Sequence, residues 1–319
     1  MRSSPCAGTA LPLGDLIEAA LLRVHSRSTM KDELRHSFVP IDGMRLHWAE
    51  LGDATDKAPV VLLHGILDAH LTWKVVGSAL ATDRRVLMPD LVGCGLSERP
   101  DASYELGWHA NVIARWLETL GLERVDVVGH SFGGGVAQML LLECPARIRR
   151  MVLVASGGLG RSVGFWLRLA GAFPRVVELF GQPFMAFGTR RALASESAMS
   201  TQDIAELSAL NAERGSARAF ARSVRDVIDW RGQRRTFSQR VREITQLPPV
   251  AVFWGDRDAI IPIGHAKALT ASVEGVVFKH FDGCGHYLHQ EQPEAFVSAV
   301  RDFLDDPSAI PVRLKAREP

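Results

Sequence analysis

Val125-Asp-Val-Val-Gly-His-Ser131-Phe-Gly-Gly-Gly135 joins a valine-rich apolar run to a helix-like run, Val136 to Leu142. Its centre, Gly129-His130-Ser131-Phe132-Gly133, is a G-x-S-x-G pattern between a strand and a helix, the context of a nucleophile elbow. In such a turn the serine backbone is strained and other backbone passes close by. The positions two before and two after the serine must therefore be small. The turn lifts the hydroxyl above the end of a sheet and aims a helix N-terminus at it. Small residues produce the bare pattern by chance. The flanking strand and helix add weight, and two downstream constellations decide the reading.

The apolar run Pro249-Val-Ala-Val-Phe-Trp254 leads into Gly255-Asp256-Arg257-Asp258-Ala-Ile-Ile-Pro262. A further run, Val276 to Phe281, leads into Asp282-Gly-Cys-Gly285-His286-Tyr-Leu-His289-Gln-Glu-Gln-Pro293. Serine, acid and histidine thus follow one another in chain order, each in the turn after an apolar strand. With His64-Gly65 and Asp90-x-x-Gly93-x-Gly95-x-Ser97, these motifs make the chain resemble the α/β-hydrolase superfamily over roughly residues 35 to 305. More narrowly, it resembles the serine-nucleophile, cap-containing branch that includes esterases and C–C hydrolases.

The resemblance implies roles for single residues. Ser131 is the nucleophile, and His286 is the base and then the acid for the leaving group. His289, three residues on, is the competitor; the histidine directly after the glycine is the one the family pattern selects. Asp258, third after Gly255, is the orienting acid, with Asp256 as its rival in the same turn. The backbone amide of Phe132 supplies one oxyanion donor and that of Ile66 the other, with Leu67 as the alternative. His64 is expected to hold that loop. No cofactor is implied. No complete metal-ligand set is evident around His286 and His289, and no phosphate-binding or dinucleotide loop is present.

Bulk properties suit a soluble globular protein. The 319 residues are 47% hydrophobic and 23% charged, enough for one large core. A net charge of +1 gives no reason to expect nucleic acid as a partner. Cys6, Cys94, Cys144 and Cys284 are scattered, which argues against a disulfide framework and for a cytoplasmic setting. No run reaches the ~18 apolar residues of a membrane span. A monomer and a homodimer are equally open.

Strand-like and helix-like runs alternate, which predicts a doubly wound, mostly parallel sheet. With the resemblance, that means about eight strands of an α/β-hydrolase fold and a helical cap inserted after strand six. The expected organisation is an N-terminal arm over 1–33 and a core over 34–157 and 248–306, with a helical cap over 158–247 and a tail over 307–319. In the arm, Leu13, Leu16, Ile17, Ala20, Leu21 and Val24 share a helical face, which would pack on the body or meet a partner or membrane surface. The cap stretch holds fourteen arginines, eight acids and no lysine. Arg214, Arg218, Arg222 and Arg225 fall on one helix face, read as ion-paired or as a docking surface.

The chemistry expected is hydrolysis of a carboxylic ester with an apolar acyl group. Leu67, Phe165, Trp166, Phe184, Met185 and Tyr287 are candidates for the pocket, although each suits the cap core equally. An aspartate elbow marks haloalkane dehalogenases and epoxide hydrolases, so Ser131 argues against both. Meta-cleavage C–C hydrolases usually carry Gly-Pro-Gly after the His-Gly and Asn before the next Trp. Here Ile66-Leu67-Asp68 and Thr72-Trp73 stand in those places, and Tyr287 stands where that family tends to have Trp. C–C cleavage is therefore the alternative, together with thioester, lactone and acyl-transfer chemistry on the same triad. A non-catalytic ligand-binding protein on this fold is the remaining class.

Overall fold

The computed structural model describes residues 33–193, 198–234 and 247–315. The N-terminal amphipathic segment expected from the sequence lies outside them.

Strands β1 (Arg35–Ile41) and β2 (Met44–Leu51) form an antiparallel hairpin. Asp42 and Gly43 turn it, both at positive φ (51° and 79°), as a two-residue hairpin loop requires. Strands β3 (Val60–Leu63), β4 (Val86–Pro89), β5 (Val125–His130), β6 (Ile148–Val154), β7 (Val250–Gly255) and β8 (Val277–Phe281) follow. The eight strands pair in the order β1-β2-β4-β3-β5-β6-β7-β8. Pairing is antiparallel for β1–β2 and β2–β4 and parallel elsewhere. The sheet is thus the expected mostly parallel, doubly wound one. Strands β3, β4, β5 and β7 are buried at every residue, because helices cover both faces of a parallel sheet. Their unbroken Val/Leu runs have no period of two for that reason.

Helices α1 (Lys74–Leu80), α2 (Leu106–Thr119) and α3 (Phe132–Glu143) fall between the strands. The chain runs from β3 to β4 on one side of β3 and later places β5 on the other. That reversal opens a crevice at the carboxyl ends of β3 and β5, where ligands of open α/β sheets bind. Both Ile66 and Ser131 lie in loops leaving those ends.

After β6 the sheet pauses and the chain forms α4 (Phe165–Ala172), α5 (Pro174–Phe180), α6 (Met185–Leu193), α7 (Thr201–Ala212) and α8 (Ser216–Val227). These helices lie within the stretch the sequence assigns to a helical cap. Helix α6 carries a weak apolar pattern: Met185 is buried while Phe187, two residues on, is exposed, and Gly188 interrupts the run. A two-residue pairing of Ile228–Asp229 with Gly232–Gln233 went unread. Arg99 locks this helical insertion to the body, donating to the carbonyls of Gly95 and Leu210 and to Ser216 Oγ at 2.8–2.9 Å. Helices α9 (Gly264–Ser272) and α10 (Pro293–Asp305) complete the sheet cover. Pro293 opens α10 at a position where a missing N–H costs nothing.

Candidate active site

Ser131 sits between β5 and α3 with φ 53° and ψ −114°. Such a backbone costs ~1–3 kcal/mol and persists only where the surroundings over-determine it. Here the Ser131 N–H donates to the Val154 carbonyl at 2.9 Å. The Ser131 carbonyl accepts from Gly134, Gly135 and Gly157 at 3.0–3.3 Å. The two glycines of the pattern have a direct steric cause. A Cβ on Gly129 would lie 2.6 Å from the Gly133 carbonyl oxygen, and one on Gly133 would lie 2.4 Å from those of Leu63 and His64.

His286 follows β8 and Asp258 follows β7, adjacent parallel strands whose ends meet. The His286 Nδ1–H donates to Asp258 Oδ2 at 2.8 Å. The other oxygen of Asp258 accepts the Ile260 and Ile261 amides, each at 2.8 Å. Both side chains are buried, and with the proton on Nδ1 the free lone pair of His286 is on Nε2. Asp256, the rival acid, is exposed and instead accepts the Gly283 amide at 2.7 Å. His289, the rival histidine, is buried with neither ring nitrogen hydrogen-bonded to described residues. It lies in the short helical turn Leu288–Glu291, before α10, with its ring centre 4.3 Å from that of Trp73 and tilted by 32°. Burial lowers its pKa to about 3.

His64 serves the loop after β3. Its Nδ1–H donates to the Gly65 carbonyl at 2.7 Å and its Nε2 accepts the Leu91 amide at 2.9 Å. The Asp90–Ser97 motif is a lock around one carboxylate. Asp90 accepts the His70 and Leu96 amides and both the His47 and His70 imidazoles at 2.7–3.0 Å. A Cβ on Gly95 would meet that carboxylate at 2.1 Å. Burial opposes its ionisation, but His70 and His47 hold it well below the usual carboxylate range. His47, His70 and Asp90 are ligand types in reach of one ion, yet their spacing is that of hydrogen bonds.

A cleft of about 540 Å³ opens beside Ser131. Ile66, Leu106, Phe132 and Ile261 line it from the body, and Val163, Leu167, Val224, Val227 and Ile228 from the insertion. Among the described residues, the polar side chains in the lining are Ser131 and Gln233. Gln233 is already committed: its Oε1 accepts the Gly158 amide at 2.6 Å and its Nε2 donates to the Ser162 carbonyl at 3.2 Å.

The expected pocket residues fare differently. Leu67 lines a smaller adjoining cleft of about 290 Å³. Phe165, Trp166 and Phe184 line neither cleft and are 66%, 78% and 66% exposed, which corrects their assignment. The reason is helical phase. Leu167 and Ala170 form the inward stripe of α4, so Phe165 falls on the opposite side and Trp166 on the flank. Met185 is buried but lines neither cleft. Tyr287 packs against the small cluster of Ala69, Leu71, Leu193, Met199 and Leu207, with its ring 5.1 Å from that of His130.

Sequence reading missed three supporting residues. His130 Nε2–H donates to the backbone carbonyl of His286 at 3.0 Å, tying the elbow to the histidine loop. Asn211 of α7 donates to the Leu67 carbonyl at 2.6 Å, so the insertion holds the loop after β3 directly. Asp68 is buried in that loop and accepts the Ala69 amide at 2.7 Å. Only His130, inside the motif, carried a sequence signal.

Burial pushes the Asp68 carboxyl up to about 7. A raised folded-state pKa means the protonated form stabilises the fold below the unfolded pKa, and the contribution is lost as pH rises through about 7. The size is a few kcal/mol, at about 1.4 kcal/mol per pKa unit. Asp68→Asn, neutral at every pH, is expected to flatten the decline of urea-unfolding stability between about pH 4 and 7. A variant that keeps the wild-type pH dependence would refute this.

Comparison with known proteins agrees with the sheet order. A sequence model of the α/β hydrolase fold matches residues 58–293. The chain is 34% identical over 261 residues to an uncharacterized protein of Mycobacterium tuberculosis, covering 77% of this chain and 75% of that one. It is 30% identical over 261 residues to the 2-hydroxy-6-oxo-2,4-heptadienoate hydrolase of Pseudomonas putida, covering 80% and 91%. In structure it is similar to a meta-cleavage product hydrolase of Pseudomonas fluorescens, with a TM-score of 0.67 at 22% identity over 85% of this chain and 97% of that one. The chain belongs to the α/β hydrolase fold family. It is an enzyme of the hydrolase type acting on a small molecule.

Proposed function

We propose that the protein is a serine hydrolase that cleaves a carboxylic ester with an apolar acyl group. The observation that carries this reading is the cleft beside Ser131, lined by apolar side chains with no charged residue among those described. Ser131 Oγ attacks the ester carbonyl as His286 Nε2 takes its proton. The tetrahedral oxyanion is held by the amides of Phe132 and Ile66, both of which line the cleft. Collapse breaks the acyl–oxygen bond, and His286 returns the proton to the departing alcohol. Water, deprotonated by His286, then cleaves the acyl-enzyme to the acid and regenerates Ser131. Asp258 fixes the His286 tautomer throughout. The helical insertion acts as the cap that excludes water from this chemistry.

C–C bond hydrolysis is the second reading, favoured by the 30% identity to a heptadienoate hydrolase. A dienoate carries a carboxylate, and burying an anion without a paired cation costs far more than burying a neutral ester. The test is turnover of p-nitrophenyl esters from acetate to palmitate beside 2-hydroxy-6-oxo-2,4-heptadienoate. Ester turnover that rises with acyl length to an optimum is expected, with kcat/KM for the dienoate at least tenfold below the best ester. A dienoate turned over tenfold faster than every ester would replace this reading with C–C cleavage.

A further inference from the structure

The outer side of the helical insertion is the most apolar exposed surface among the described residues. Trp166, Phe173, Leu179, Phe180, Phe184 and Phe187 are each more than half exposed along the consecutive elements α4 to α6. Trp230, also exposed, joins them: Arg168 donates to its carbonyl at 2.9 Å and the Arg231 guanidinium sits 4.7 Å from its ring centre. Aromatic side chains on this scale are rare on the surface of a soluble monomer and mark an interaction site. None of these residues lines either cleft, so catalysis does not explain them.

The charge on the same stretch is one-sided. Residues 161–193 contain Arg161, Arg168, Arg175, Arg190 and Arg191, all exposed, and neither lysine nor aspartate. Their single acid, Glu178, is taken up by Arg222 at 2.8 Å. The whole chain has a net charge of only +1, so positive charge is concentrated where the aromatics are. Exposed Trp and Phe among arginines is the composition of a surface that sinks into the headgroup region of an anionic membrane. Arginine pairs with lipid phosphate, and the rings reach the acyl boundary. A two-fold contact between copies of this face would instead set its arginines against their own equivalents. No described helix is long and apolar enough to cross a bilayer, which makes the contact a peripheral one.

We infer that this face, from Phe165 to Phe187 with Trp230, docks the protein onto an anionic lipid bilayer. The inference is independent of which bond the enzyme cleaves. Its test is co-sedimentation of the full chain with vesicles of phosphatidylcholine alone and of phosphatidylcholine mixed with phosphatidylglycerol. Binding to the mixed vesicles is expected, weakened at least tenfold in Trp166→Ser/Phe180→Ser/Phe184→Ser and, separately, in Arg175→Gln/Arg190→Gln/Arg191→Gln. Added salt should release the arginine-dependent part. The arginine variant lies wholly on the surface and keeps the test alive if the serine variant misfolds; near-UV circular dichroism reports folding in both. Absence of binding to mixed vesicles, or variants that sediment like wild type, would overturn the inference. So would a wild-type dimer that the serine variant converts to monomer with no vesicle binding, which would assign the face to a second copy. Vesicle binding seen only after deletion of residues 1–32 would also overturn it, by assigning the face to that segment.

Discussion

Ser131→Ala is expected to lower kcat for the best p-nitrophenyl ester by about 10⁴- to 10⁶-fold, with the unfolding midpoint nearly unchanged. Without Oγ no acyl-enzyme forms, and only binding and the backbone donors remain to assist water. The fold has little reason to respond. Alanine occupies the same positive-φ turn, and the contacts that hold it come from the Ser131 backbone, not its hydroxyl. Steady-state kinetics beside thermal unfolding separates the two effects. A variant with more than a tenth of wild-type turnover would remove the serine mechanism. A wild type that binds esters without turning them over would favour a non-catalytic binding protein.

The second large effect is a contrast between neighbours. Asp258→Asn should lower kcat about 10⁴-fold, whereas Asp256→Asn should change it less than twofold. An asparagine at 258 can still accept the amides of Ile260 and Ile261 through its oxygen. It would then turn its NH₂ toward His286 Nδ1, now 2.8 Å from a carboxylate oxygen. That forces the ring proton onto Nε2, the atom that has to receive the serine proton. Asp256 lies outside this relay, and asparagine preserves its bond to the Gly283 amide. Kinetics of the two variants side by side decides the matter. The reverse pattern, with Asp256→Asn damaging and Asp258→Asn neutral, would exchange their roles.

Residues that act through the backbone or through a fixed turn were legible in the sequence. The glycines flanking Ser131 have one steric explanation, close backbone approach, and it applies wherever they stand. The same holds for Asp42-Gly43, whose positive φ angles set the hairpin register, and for Pro293 at the start of α10. Asp256 and Asp258 were harder, being two identical residues in one turn. Separating them needed the family spacing, and in three dimensions the difference is plain, since one carboxylate faces an imidazole and the other a loop amide.

Helical phase was the least legible feature. Phe165, Trp166 and Leu167 are consecutive and all apolar, so hydrophobicity alone cannot say which one meets the cleft. Only the packing of α4 against its neighbours selects Leu167 and leaves the aromatic pair outside. Asn211, Gln233 and Asp68 were invisible for a related reason. Each is an ordinary polar residue whose partner, the Leu67 carbonyl, the Gly158 amide or the Ala69 amide, is a backbone group that carries no side-chain signature.

By itself the sequence determined the alternation of strand and helix, the place of the elbow and the chain order of serine, acid and histidine. These follow from local periodicity, turn chemistry and spacing along the chain. The tertiary structure decided which carboxylate reaches His286, which face of the insertion lines the cleft and which lies open, and how Asn211 anchors the loop after β3. Those depend on contacts between residues distant along the chain, from 28 positions for Asp258 with His286 to more than a hundred for Asn211 with Leu67 and His130 with His286. Only the assembled sheet and its docked helices bring such residues together.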